Sequence, residues 1–180
     1  IEEINDNSNE FKELVNTCVL CNDTKIGKND ELTGDPTETA LTSMAMKLKF
    51  DIDSILKNSR IQEIPFDSER KMMTTVNSQD GKLIVNVKGA IEGLVERCSK
   101  AIIGGRLVEL TEEIKVKILE ANAEMSSRAL RVLGFAYKEI NELPKEITTD
   151  TLENDLIYVG LVGMIDPPRI EVKDAVEKCV

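Results

Sequence analysis

The side chains of this sequence that could act on a ligand lie in short segments scattered along the chain. Gly34-Asp35-Pro36-Thr37-Glu38-Thr39-Ala40-Leu41 offers a carboxylate at Glu38. Pro65-Phe66-Asp67-Ser68-Glu69-Arg70-Lys71-Met72-Met73 offers an aromatic ring at Phe66, followed by Ser68, Lys71 and Met73. Val87-Lys88-Gly89-Ala90 sets Lys88 beside a glycine, where backbone can approach a ligand closely. Arg128-Ala129-Leu130-Arg131-Val132-Leu133 adds Arg131 and the apolar Leu133, and Val162-Gly163-Met164-Ile165-Asp166-Pro167-Pro168-Arg169 adds Asp166 and Arg169 around a double proline. An exposed aromatic ring holds a flat base by its π-face, a carboxylate is a strong acceptor for an amino group, and cations hold phosphates.

Each of these residues also has an ordinary structural explanation. Phe66 could be a core residue at a strand end. Glu38 stands just inside a helix start, where the helix dipole favours an acid without any ligand. Lys88 could be a solvated strand terminus, Lys71 and Arg70 surface charge, and Arg131 a half-exposed strand residue. Met72-Met73 suits packing, and Pro167-Pro168 a linker.

Composition narrows the chemistry further. The 180 residues carry 33 acidic and 23 basic side chains, so the net charge is 23 − 33 = −10. Such a surface repels nucleic-acid backbones, yet it admits a small anion in a local basic pocket. No His and no Trp occur, with four Phe and two Tyr. His-based dyads, His-containing zinc sites and aromatic nucleic-acid platforms are therefore excluded. Neither GxxxxGK[ST] nor GxGxxG is present, nor GxSxG, nor HExxH. Cys18-x-x-Cys21 has no second pair, and its first cysteine falls in phase with Phe11, Leu14, Val15 and Val19. Reduced, buried thiols of a cytosolic protein are expected.

The elements that must position these residues follow from periodicity. Helices are predicted over 9–22 (capped by Ser8 or Asn9), from Asp35-Pro36 onward, over 51–57, over 90–99, and from Thr111 to about Ser126. The segment 23–33 reads as a loop. Strands are predicted over 60–65, 71–77 and 82–88, the last two joined by a turn at Asp80-Gly81, and over 101–103, 106–109, 130–137 and 156–162. A polar loop with one helical turn is expected between residues 138 and 154. The fold class is α+β, an antiparallel sheet with helices packed on it. No stretch approaches the roughly 20 apolar residues of a transmembrane helix. The chain opens on Ile1 and closes inside a helical pattern, as expected of a piece cut from a larger protein.

Taken together and in order, from Cys18-Val19-Leu20-Cys21-Asn22-Asp23 to Asp166-Pro167-Pro168-Arg169, the segments resemble the nucleotide-binding domain of P-type cation-transporting ATPases. The likeness is strongest to the calcium-pump group, the sarco/endoplasmic-reticulum pumps and their bacterial relatives. It implies an ATP-holding domain, residues 1–165, followed at 166–180 by a hinge and the start of the phosphorylation domain. That other domain would supply the phosphorylated Asp, whose DKTGT sequence is absent here, so no residue of this chain is expected to be catalytic. Phe66 matches the residue that stacks on adenine, and Glu38 the acceptor of its amino group. Lys88 matches the pocket lysine, and Lys71 and Met73 match nucleotide-lining positions. Arg131 matches a phosphate contact, Leu133 packs near the base, and Asp166 and Arg169 match the hinge. Ser68 stands where animal calcium pumps often have Arg, leaving Arg70 as a substitute phosphate contact. The implied ligand is ATP or Mg-ATP, with no metal held by this domain alone. The implied partners are the phosphorylation and actuator domains of one pump, with neither nucleic acid nor direct membrane contact. The implied location is the cytoplasmic side of an integral membrane protein. Two alternatives stay open: the same domain from a sodium/potassium, proton or manganese pump, and an interaction module that has lost its nucleotide.

Overall fold

The computed structural model describes residues 8–165. Ser8 caps helix α1 (Asn9–Leu20) by accepting from the Phe11 N–H at 3.2 Å. The phase of Val15, Cys18 and Val19 buries that face completely or nearly so. Asp35 caps α2 (Pro36–Lys47) by accepting from the Thr37 N–H at 2.8 Å. Pro36 takes the first helical position, where a missing N–H costs nothing. Between these helices, residues 23–33 are more than a loop: β1 (Lys25–Ile26) pairs with β2 (Leu32–Thr33) in an antiparallel ribbon. Two residues per strand are too few for any alternation to show in sequence. Helix α3 (Ile52–Leu56), capped by Asp51, packs Ile52 and Ile55 against Val15, Val19, Leu20 and Ala45.

The main sheet is built from β3 (Arg60–Asp67), β4 (Met72–Gln79), β5 (Lys82–Gly89), β6 (Cys98–Ile103), β7 (Arg106–Glu109), β8 (Leu130–Ile140) and β9 (Leu156–Ile165). Its spatial order is β3-β4-β5-β8-β9-β6-β7. All pairings are antiparallel except β6 with β9, so the architecture is α+β with one parallel seam. That seam explains the largest departure from the sequence reading. The helix predicted over 90–99 stops early, as α4 (Ile91–Val95), because Cys98 pairs with Leu156 and opens a strand. Ladder formation outweighs a local helical pattern. Likewise β8 runs past 137 to Ile140, which pairs with Leu83 at the far end of β5. The remaining helices are α5 (Glu112–Ser127), capped by Thr111, and the single turn α6 (Thr149–Leu152).

Helices cover both faces of the sheet. On one face Met72, Val76, Val85, Val87 and Ala136 meet Ile91 and Leu94 of α4, Ile118 of α5 and Leu152 of α6. On the other, Phe135 and Val159 meet Cys18 of α1 and Leu41 of α2. Strand β4 is therefore buried from Met72 to Asn77 without alternation, as a doubly covered strand should be. Its polar members are satisfied: Asn77 Oδ1 accepts from Thr75 Oγ1 at 3.0 Å and Asn86 Nδ2 at 3.2 Å, and Asn77 Nδ2 donates to the Asn58 carbonyl at 3.0 Å. Among the described residues no helix is long and apolar enough to cross a membrane. The Pro167-Pro168 boundary, the hinge residues Asp166 and Arg169, and the helix predicted after them lie outside the described residues.

Gly89 ends β5 where any side chain would collide. A Cβ there would lie 2.6 Å from the Lys71 carbonyl oxygen and against the Met72 side chain. That carbonyl is itself fixed by the Ala90 N–H at 3.0 Å and cannot swing aside. Gly89→Ala is expected to destabilise the chain by about 1–3 kcal/mol, read from the midpoint of urea unfolding.

Candidate functional site

Strand alternation and register place four of the singled-out side chains on one face. Met73 of β4 pairs with Lys88 of β5, and Lys88 with Phe135 of β8. Leu133 and Arg131 stand two and four residues before Phe135, on the same side of that strand. Phe66 reaches this face by a different route. Ile64 pairs with Thr74 and packs into the core of the opposite face, so regular alternation would send Phe66 there too. Between Ile64 and Asp67 the register shifts, setting Pro65 and Phe66 against the single residue Met73. Such a bulge re-aims a side chain. Here it leaves Phe66 60% exposed and on the side of Met73 and Lys88.

The result is a cavity of about 470 Å³ lined by Glu38, Phe66, Met73, Lys88, Arg131 and Leu133, with Asp23, Asp35, Thr37 and Gly89 completing the wall. Its size falls within the usual range for small-molecule sites. At its floor the ammonium of Lys88 forms an ion pair with Glu38 Oε1, with side chains only 7% and 13% exposed. Lys88 rises from the sheet, and Glu38 descends from the first turn of α2. The other carboxylate oxygen, Oε2, accepts from the Asp23 N–H at 3.1 Å. Asn22 ties the two helices together, its amide donating to the Cys18 carbonyl at 3.1 Å and the Glu38 carbonyl at 3.0 Å. Arg60 in turn holds the Asn22 carbonyl and the Asp23 carboxylate, each at 2.6 Å.

Directly below Lys88, the Cys21 thiol donates to the Met73 carbonyl at 3.3 Å. Burial pushes this thiol up to about 11, against the opposing pull of the Lys88 charge. Burial likewise raises Cys18, and it raises Cys98 to about 12. The thiolate is the reactive and metal-binding form, so these three free cysteines behave as core residues. Among the described residues no group of three or more His, Cys, Asp or Glu could hold a metal ion.

Six of the residues named from sequence thus share one cavity, while Ser68 and Lys71 are not in its lining. Both lie exposed in the β3–β4 turn, where Asp67 Oδ1 accepts from the N–H groups of Glu69 and Arg70. Arg70, expected as a substitute phosphate contact, is committed elsewhere. Its guanidinium donates to the Met72 and Pro65 carbonyls, each at 3.0 Å, and lies 3.4 Å from Glu153. The wall residues Asp23, Asp35 and Thr37 carry no ligand signal of their own in the sequence. Thr37 shows why: its hydroxyl accepts from Arg131 at 2.7 Å, a contact spanning 94 residues that no local pattern encodes.

The chain is thus an α+β domain with a one-sided cavity at the ends of β4, β5 and β8. The family model described as P-type ATPase, cytoplasmic domain N, matches residues 10–171. The chain belongs to this family. It is 45% identical over 180 residues to Calcium-transporting ATPase 1 of Bacillus cereus, covering 99% of this chain and 20% of that protein. It is 43% identical over 166 residues to Calcium-transporting ATPase 1 of Lactococcus lactis, covering 92% and 19%. It is 39% identical over 170 residues to a calcium-transporting ATPase of Listeria monocytogenes, covering 93% and 19%. The chain spans about a fifth of the length of these relatives.

A nearly buried ion pair is costly to break from one side, because the remaining charge is stranded. Lys88→Met and Glu38→Gln are each expected to lose about 2–4 kcal/mol of stability without any ligand. The double variant should recover much of the second loss, whereas strictly additive losses in denaturant unfolding would show that the two charges do not depend on each other.

Proposed function

We propose that this chain is the ATP-holding domain of a calcium-transporting P-type ATPase. The observation that carries the reading is the convergence of Phe66, Glu38, Lys88 and Arg131 on one cavity. The exposed Phe66 ring is the platform for adenine, with Met73 and Leu133 as apolar wall. Glu38 has lone pairs left beyond those used by Lys88 and Asp23, and one of them accepts from the adenine amino group. Guanine would present a carbonyl oxygen to that carboxylate, so the site prefers ATP to GTP. Lys88 orients the Glu38 carboxylate through their ion pair. Arg131 stands exposed at the rim beside Thr37, placed to meet the phosphates.

The net charge of −10 opposes a triphosphate. The base therefore supplies most of the affinity, and the phosphates project outward, available to another domain. Magnesium travels with those phosphates rather than with this chain. Phosphoryl transfer is largely positioning and electrostatics, so a domain can contribute without owning the nucleophile. In the whole pump, residues 1–165 form this domain, and 166–180, with Asp166 and Arg169 as hinge, lead into the phosphorylation domain. The assembly faces the cytoplasm. The calcium assignment draws on the names of the bacterial relatives.

Isothermal titration of the chain with ATP and GTP, alongside Phe66→Ala, tests the reading. Saturable ATP binding is expected, weaker for GTP by about 10-fold or more. Phe66→Ala should weaken ATP binding by about 1–3 kcal/mol, roughly 5- to 150-fold. Folded protein that takes up no ATP at millimolar concentration, or that binds both nucleotides equally and ignores Phe66→Ala, would contradict it and favour a module without nucleotide.

A further inference from the structure

We propose that Glu153, on the opposite face of the sheet from the cavity, is a positioning residue for Phe66 and thereby sets nucleotide affinity. The inference rests on the reading of Phe66 as the base platform. A ring that is 60% exposed is not held by packing, so its location depends on the backbone that carries it. That backbone is a bulge, where the β3–β4 ladder is interrupted. Arg70 spans the interruption. One guanidinium nitrogen takes the Pro65 carbonyl just before Phe66, and the other takes the Met72 carbonyl on the facing strand.

Glu153 stands behind that guanidinium as its counter-charge. The Glu153 side chain is fully buried, with Oε1 accepting from Thr74 Oγ1 at 2.6 Å and lying 3.4 Å from Arg70 Nη1. Arg97 adds a second guanidinium 3.8 Å from Oε2. Glu153 is the acidic partner of the Arg70 guanidinium, whose side chain is only 10% exposed, so drawing the two apart strands a nearly buried cation. Glu153 does not line the cavity, so any influence on the ligand passes along Thr74–Glu153–Arg70–Pro65 to Phe66. A carboxylate that merely stabilised the core would act on folding alone and be indifferent to Phe66.

The test combines two readouts on the 180-residue chain. The first is fluorine NMR of chain labelled with 4-fluorophenylalanine, whose four signals are assigned by single Phe→Leu variants. Glu153→Gln keeps the volume and an acceptor for Thr74 but removes the charge. It is expected to shift or broaden the Phe66 signal while leaving those of Phe11 and Phe50, packed on each other near α1, in place. The second is ATP titration in a double-mutant cycle. Glu153→Gln should weaken ATP about 3- to 10-fold when Phe66 is present and by less than about 2-fold in a Phe66→Ala background, as coupled residues do. Arg70→Lys keeps the charge but cannot fork to two carbonyls, and it should show the same pattern, so it carries the test if Glu153→Gln fails to fold. An unmoved Phe66 signal, or equal losses of affinity with and without Phe66, overturns the inference. If the signal moves but Phe66→Ala itself leaves ATP binding intact, the platform reading has failed and the nucleotide role of Glu153 falls with it.

Discussion

The ion pair between Lys88 and Glu38 is the constraint on which the rest of the site depends. It joins the middle of the sheet to the first turn of α2, across the floor of the cavity. Neither charge is well solvated there, so each is tolerable only because of the other and because the Asp23 N–H completes the carboxylate. The arrangement explains why α2 must begin where it does. Asp35 and Pro36 fix the start of the helix, and the start fixes the height at which Glu38 meets Lys88. It also explains the tight splice between α1 and α2, in which Asn22 and Arg60 hold the Asp23 N–H against the second carboxylate oxygen. A cavity with a charged, ordered floor and an aromatic wall suits a ligand that is flat and polar at one end and anionic at the other.

The wall has its own logic. Alternation would have turned Phe66 into the opposite core beside Ile64, and the bulge at Pro65-Phe66 reverses it. Proline brings no N–H to the ladder, so the interruption falls where the sequence has least to lose. The two faces of the sheet are thus not independent. One carries Phe66, Met73 and Lys88, and the other carries Glu153, Thr74 and Arg70, whose guanidinium fastens the strands on both sides of the bulge.

Much of this was legible in the sequence. The caps at Asp35 and Thr111, the hairpin turn at Asp80-Gly81 and the α+β class follow from local chemistry, and all appear in the structure, which also decides between Ser8 and Asn9 for the first cap in favour of Ser8. The site was legible only as a set of segments in family order, since Glu38 at a helix start or Lys88 at a strand end is unremarkable alone. What stayed hidden was non-local. Cys98 leaves a helical pattern because Leu156 claims it, Arg70 turns from the cavity because Glu153 is buried behind it, and Thr37 joins the site through Arg131. No window of neighbouring residues contains those partners.

The most direct test of the account is the structure of the chain with ATP bound. It should show the base against Phe66, its amino group at Glu38, the Lys88–Glu38 pair intact beneath it, and the phosphates leaving past Arg131. A nucleotide seated elsewhere on the domain, for instance over Arg70 and Arg97 on the opposite face, would contradict it, as would binding that separates Lys88 from Glu38.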